Sequence, residues 1–185
     1  MKINLGAGNK KYDGFINLDK YKIFKPDILH DLEIFPYPIK DNEVNEIKLY
    51  HVLEHLGQHP ETFNNIIKEI YRICSNEAIV DIRVPHPRHN HFLADPTHVR
   101  PITTEGLQLY DKELNNHWKN IGLPNSQLAN IHNINFKIIY TNVKLEKKYY
   151  ELLINKKINE KDIEDYIEKY NNIIIETQYH LKVIK

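Results

Sequence analysis

The chain has 185 residues, enough for one domain with a buried core. Its 25 lysines and arginines balance 25 aspartates and glutamates, so no overall field draws it to nucleic acid or to an anionic membrane. The single cysteine, Cys74, rules out an intramolecular disulfide, and no apolar run approaches the ~18 residues of a membrane helix.

In chain order, Ile3 to Leu5 reads as a short buried strand stopped by Gly6. Phe15 to Leu18 reads as a second strand and Asp27 to His30 as a third. Pro36, Pro38 and Asp41-Asn42 mark a loop, and Glu46 to Val52 is a stronger strand. Pro60-Glu61-Thr62 opens a helix, with proline near the first turn and an acid beside the positive end. Phe63, Ile66, Ile67, Ile70, Ile73 and Cys74 then recur at helical spacing, which makes Cys74 a core residue rather than a nucleophile. Ser75-Asn76-Glu77 reads as a turn before a buried strand, Ala78 to Val84. A polar loop from His86 to Pro101 holds four histidines, and Thr103-Thr104-Glu105 opens a helix running to about Lys119. Asn135 to Leu145 and Ile173 to Ile184 read as closing strands, with a charged helical segment at about 146–170 between them.

Alternating strands and helices predict one α/β domain over residues 1–185, mostly parallel, with an antiparallel final strand. The span from Gly8 to Phe15 is too short for the usual crossover of about ten or more residues. The helix expected there is therefore one turn or absent, which makes this a trimmed version of the fold.

The first three strands end in chemically useful residues. Gly6 and Gly8 let backbone approach a ligand without a Cβ in the way. Asp19 ends the second strand, where a carboxylate can accept ribose hydroxyl protons. Asp31 closes the third segment, where an acid can meet an adenine amino group. His51 ends the fourth strand, at the edge where ligands of open sheets collect.

These motifs resemble those of class I S-adenosylmethionine-dependent methyltransferases, particularly the small, compact bacterial and phage members. Leu5-Gly6-Ala7-Gly8-Asn9 looks like the first motif, Asp19 like the ribose-binding acid, and Asp31-Leu32 like the adenine-flanking pair. His51-Val52-Leu53-Glu54-His55-Leu56 is similar to the fourth-strand motif, and Arg83-Val84-Pro85-His86 to the tip of the fifth. The likeness covers roughly residues 2 to 100. Two positions depart from it: Lys10 stands where a third glycine often sits, and Ser75-Asn76-Glu77 replaces a Pro-Gly-Gly type of turn. The resemblance implies a Rossmann-like fold and S-adenosylmethionine as cofactor. Leu5, Gly6, Ala7, Gly8, Asn9, Asp19, Asp31, Leu32 and His51 would hold it.

The loop after the fifth strand is where such enzymes commonly place the acceptor. His86 and His98 are expected general bases, since a near-neutral imidazole can take a proton from a hydroxyl or amine. Arg88, Asp95 and Arg100 are expected to contact the substrate, the arginines by bidentate bonds to a carboxylate or phosphate. A metal site in this loop is an alternative, since histidine and aspartate suit zinc or other transition metals, but the spacing matches no standard pattern and no metal ligands are assigned. The expected activity is O- or N-methylation of a small or medium-sized acceptor. The alternatives are a nucleic-acid methyltransferase, for which only the local lysines at 10, 11, 20, 22 and 25 speak, and a nucleoside-binding or cofactor-consuming protein without methyl transfer. The segment at 146–170 is expected to pack on the domain, or to serve as a lid or dimer contact. The chain goes straight into an apolar strand with no charged leader, and with one cysteine a cytoplasmic setting is the simplest expectation.

Overall fold

The computed structural model describes residues 1–185. Its strands are β1 (Lys2–Leu5), β2 (Ile16–Asp19), β3 (Ile28–Leu29), β4 (Val44–Tyr50), β5 (Cys74–Pro85), β6 (Phe136–Leu145) and β7 (Ile174–Val183). They form one sheet in the order β3-β2-β1-β4-β5-β7-β6. All neighbours from β3 to β5 pair in parallel, and β7 runs antiparallel to both β5 and β6. The mostly parallel sheet with its antiparallel final strand is as expected.

The trimming is also as expected. Residues 6–15 join β1 to β2 without a helix; Gly6 and Ala7 instead turn back to donate their amides to Leu18 O, at 2.9 and 3.1 Å. A 3₁₀ turn at Lys22–Phe24 leads to β3. The first true crossover helix is α1 (Pro60–Ile73), between β4 and β5. It buries Phe63, Ile66, Ile67, Ile70 and Ile73 on one stripe, each worth about 1.5–3 kcal/mol removed from water.

Four short helices follow: α2 (Asn90–Ala94), α3 (Thr104–Gln108), α4 (Lys112–Asn120) and α5 (Leu128–His132). The single helix expected from Thr103 to Lys119 is thus two. Asp111 interrupts it because its carboxylate caps α4, accepting Leu114 N at 3.1 Å. The polar loop expected at 86–101 contains the short helix α2. The turn expected at Ser75-Asn76-Glu77 lies inside β5. The ladder jumps there from Val44↔Cys74 to Glu46↔Ile79, and Glu77 takes φ +67°, so strand continues on either side of a bulge. Between β6 and β7 lie α6 (Lys147–Ile154) and α7 (Glu160–Lys169), at the position expected for the helical segment.

One core of 30 buried residues runs along one face of the sheet. The other face has no full helical layer and is polar. It carries Asn4, Asn17, Glu46, Lys48, Tyr50, Asp81 and Gln178, tied by side-chain bonds such as Asn4 Nδ2 to Asn17 Oδ1 at 3.1 Å and Gln178 Nε2 to Asp81 Oδ1 at 2.7 Å. Tyr50 donates its hydroxyl to Asp81, and Arg83 stacks over the Tyr50 ring. A parallel sheet usually has both faces covered; here a polar side-chain lattice takes the place of the missing helices. No helix is long and apolar enough to cross a membrane.

Candidate functional site

A cavity of about 410 Å³ opens at the carboxyl ends of β1, β2, β3 and β4. Ligands of open α/β sheets collect at the point where strand order reverses, and β1, flanked by β2 and β4, is that point here. The size lies in the range of small-molecule and cofactor sites.

Gly6 forms the wall after β1. Its φ is +67°, and a Cβ there would lie 2.6 Å from Cγ2 of Val52, itself on the wall. Asp19 faces the cavity from the end of β2, although only 7 % of its surface is exposed. Its Oδ2 accepts Gly8 N and its Oδ1 accepts Tyr21 N, both at 2.8 Å. These amides fix the carboxylate while each oxygen keeps a lone pair to offer. Asp31 and Leu32 line the wall beyond β3; Asp31 accepts Glu33 N and lies 3.8 Å from Lys20 Nζ.

The first motif reaches the site less directly than expected. Leu5 and Ala7 are buried behind the turn and do not line the cavity, nor do Gly8 and Asn9. Gly8 acts on the site through the amide it gives Asp19.

His51 stands on the wall at the end of β4 with φ +57°, an uncommon backbone for a non-glycine residue. Its Nε2 donates to Glu176 Oε2 at 2.7 Å, and its Nδ1 lies 3.5 Å from Glu54 Oε1. The Glu176 carboxylate, with Glu54 assisting, raises the imidazole pKa to about 9 against the opposing effect of burial. His51 is therefore an imidazolium at neutral pH.

The acceptor-side loop is split. Its first half turns toward the helical pair α6–α7. The Arg88 guanidinium donates to Ile167 O at 2.6 Å, Tyr170 O at 3.0 Å and Asn171 Oδ1 at 3.1 Å, so Arg88 straps the end of α7. His86 Nδ1 accepts Arg88 N, and burial together with the Arg88 charge lowers its pKa. The second half folds back onto the 3₁₀ turn after β4 (Leu53–His55), where Val99 N and Arg100 N both donate to Glu54 O. Asp95 accepts the amide and hydroxyl of Thr97, and Arg100 donates to Gly57 O and stacks over Phe63 beside a second cavity of about 300 Å³. His98 packs between Phe92 and His55. Of residues 86–100, only Thr97 borders the cavity at β1–β4. Neither His86 nor His98, the two alternative bases, lines this cavity, and Arg88 is engaged with the end of α7.

No family model and no curated sequence matches the chain. Solved structures do. A SAM-dependent methyltransferase from Archaeoglobus fulgidus superposes with a TM-score of 0.62 at 15% identity, over 98% of this chain and 85% of that one. A second, from Methanosarcina mazei, superposes at 0.56 and 12% identity, covering 99% and 92%. The chain has the class I methyltransferase fold. The [4+2]-cyclase SpnF also superposes, at 0.55 and 16% identity over 99% and 75% of the two chains.

On this methyltransferase fold, several wall residues carry no signal in the sequence. Tyr21, Phe24 and His30 follow β2 and β3 and supply aromatic surface. His55 and Leu56, within the fourth-strand motif, also line the cavity. Glu176, which holds His51, comes from β7, 125 positions away, and no local pattern points to it.

Proposed function

We propose that this chain transfers a methyl group from S-adenosylmethionine to a small or medium-sized acceptor, at oxygen or nitrogen. The observation that carries the reading is Asp19, held by two backbone amides at the end of β2 and facing a cavity beside the Gly6 turn. Asp19 is assigned to the ribose hydroxyls and Asp31 to the adenine side. Leu32, Val52 and Leu56 give apolar walls that exclude water from the adenosyl group. The sulfonium brings an activated methyl group, so the protein's part is mainly to align acceptor and donor in line. The single, buried cysteine suits a reducing cytoplasm.

Calorimetric titration with S-adenosylmethionine and S-adenosylhomocysteine tests the cofactor. Asp19→Ala, checked for folding by circular dichroism, should weaken both by about ten- to a hundred-fold, the value of about 1.5–3 kcal/mol for a hydrogen bond to a charged group. Unchanged affinity removes Asp19 from the site.

The likeness to a [4+2]-cyclase supports a second reading, in which this fold binds the cofactor without transferring its methyl group. Methyl-labelled cofactor incubated with cell-extract fractions separates the readings. Label in the small-molecule fraction supports the proposal, label in RNA favours a nucleic-acid acceptor, and binding without label transfer favours the second reading.

A further inference from the structure

Glu54 is the least comfortable side chain in the protein. It is 1% exposed, and neither carboxylate oxygen has a hydrogen-bond partner. Buried polar oxygens ordinarily have partners, and these two have none. His51 Nε2 bonds Glu176 Oε2 at 2.7 Å, and its other nitrogen, Nδ1, stands 3.5 Å from Glu54 Oε1 without making a hydrogen bond to it. Two other imidazoles face Glu54. One ligand atom each from Glu54, His55 and His98 all lie within 4.8 Å of one another, with His55 Nε2 at 4.0 Å from Glu54 Oε1.

Both rings are set in the same tautomer. His98 Nδ1 lies 2.8 Å from Phe92 O, a carbonyl that can only accept, so Nδ1 carries the hydrogen. His55 Nδ1 lies 2.9 Å from Thr97 Oγ1, whose own hydrogen goes to Asp95 Oδ1 at 2.6 Å, so this ring too donates from Nδ1. Each imidazole thus presents its Nε2 lone pair, that of His55 at 4.0 Å from Glu54 Oε1 and that of His98 at 3.8 Å from Asp95 Oδ2. Ligating histidines characteristically give their other N–H to a carbonyl or carboxylate, which fixes tautomer and ring angle. The Asp95-Thr97 pair and Phe92 O do that here.

We propose that Glu54, His55 and His98 bind one divalent transition-metal ion of the zinc class. Two imidazoles and one carboxylate make a three-ligand set that leaves a coordination position open. Tetrahedral ligands at about 2.1 Å from a metal stand about 3.4 Å apart, so the three groups need to close by roughly an ångström. The ion gives the Glu54 carboxylate the partner it lacks and pins the loop at 95–100 to the turn after β4. Because His55 and Thr97 border the cavity, the open position lies at its edge, where it can take an oxygen of the acceptor. That last role rests on the methyl-transfer reading; the metal site does not.

The test uses chelator-treated full-length protein titrated with Co²⁺, whose visible absorption reports nitrogen and oxygen ligation, with Zn²⁺ as competitor. One equivalent should bind with strong visible bands and be displaced by Zn²⁺. His98→Ala and Glu54→Gln should each weaken binding at least tenfold, and exposed His91→Ala should leave it unchanged. His55→Ala serves as an independent ligand variant should Glu54→Gln fail to fold by circular dichroism. Absent bands, or equal affinity in wild type and His98→Ala, overturns the site. Acetohydroxamate should shift the cobalt spectrum; an unchanged spectrum overturns the open position. Calorimetry of the metal-free protein with S-adenosylmethionine, run alongside, reads the cofactor separately, so loss of one reading leaves the other standing.

Discussion

Gly6 and Gly8 both take positive φ, at +67° and +51°, yet only Gly6 is crowded. An added Cβ at Gly6 meets both γ-carbons of Val52 under 3 Å, whereas nothing lies within 4 Å at Gly8. Gly8→Ala should therefore cost about 1–2 kcal/mol, the strain of the left-handed backbone alone, and Gly6→Ala distinctly more. Urea denaturation of the two variants checks the order; equal losses would mean that Val52 moves aside freely. Cys74 makes a second case at this scale. It is fully buried, and burial pushes its thiol pKa up to about 12, with Lys185 opposing. The thiolate needed for attack is scarce at pH 8, so a maleimide or disulfide reagent should label the protein only after denaturation. Prompt labelling of the native protein would show that the strand end at Cys74 opens.

Single elements differ in how much they support. Helix α1 spans the longest link in the parallel part of the sheet, and Ile66 on its buried stripe has no exposure at all. Ile66→Ala should destabilise by about 2–5 kcal/mol, the range for a large-to-small change in a packed core. A drop below about 1 kcal/mol in thermal or urea unfolding would place Ile66 at a site that collapses around the loss. The loop at 86–100 behaves as two elements rather than one. Arg88 and Asn90 fasten its first half to residues 167–172, and the amides of Val99 and Arg100 fasten its second half to Glu54. Its histidines share a stretch of sequence but not an environment.

At the scale of the whole molecule, the sheet is the scaffold and the α6–α7 pair is an addition to it. β6 and β7 pair antiparallel up to Leu145↔Ile174, so a tight turn can join them directly. No residue of α6 or α7 lines the cavity at β1–β4. Replacing residues 147–170 with a short turn should leave a folded protein with near-normal affinity for S-adenosylmethionine, read by circular dichroism and calorimetry. Loss of cofactor binding in a folded variant would make the pair a lid of the site.

The sequence by itself determined what is local and periodic. Apolar runs placed the strands, the Phe63 to Ile73 stripe placed α1, and the shortness of the link after Gly8 foretold the missing helix. Asp19, Asp31 and His51 were legible because strand ends in an α/β sheet point to one edge. Capping was harder to read: Asp111 splits a helix that periodicity alone runs on to Lys119. Only the tertiary structure decided which distant side chains meet. Glu176 reaches His51 because β7 returns beside β5, and His98 reaches Glu54 and His55 because residues 99 and 100 bond back to Glu54 O. Such pairings cross 40 to 125 positions and leave no spacing to read. They arise from sheet order and loop closure, which are set by burial of the whole core rather than by any local pattern.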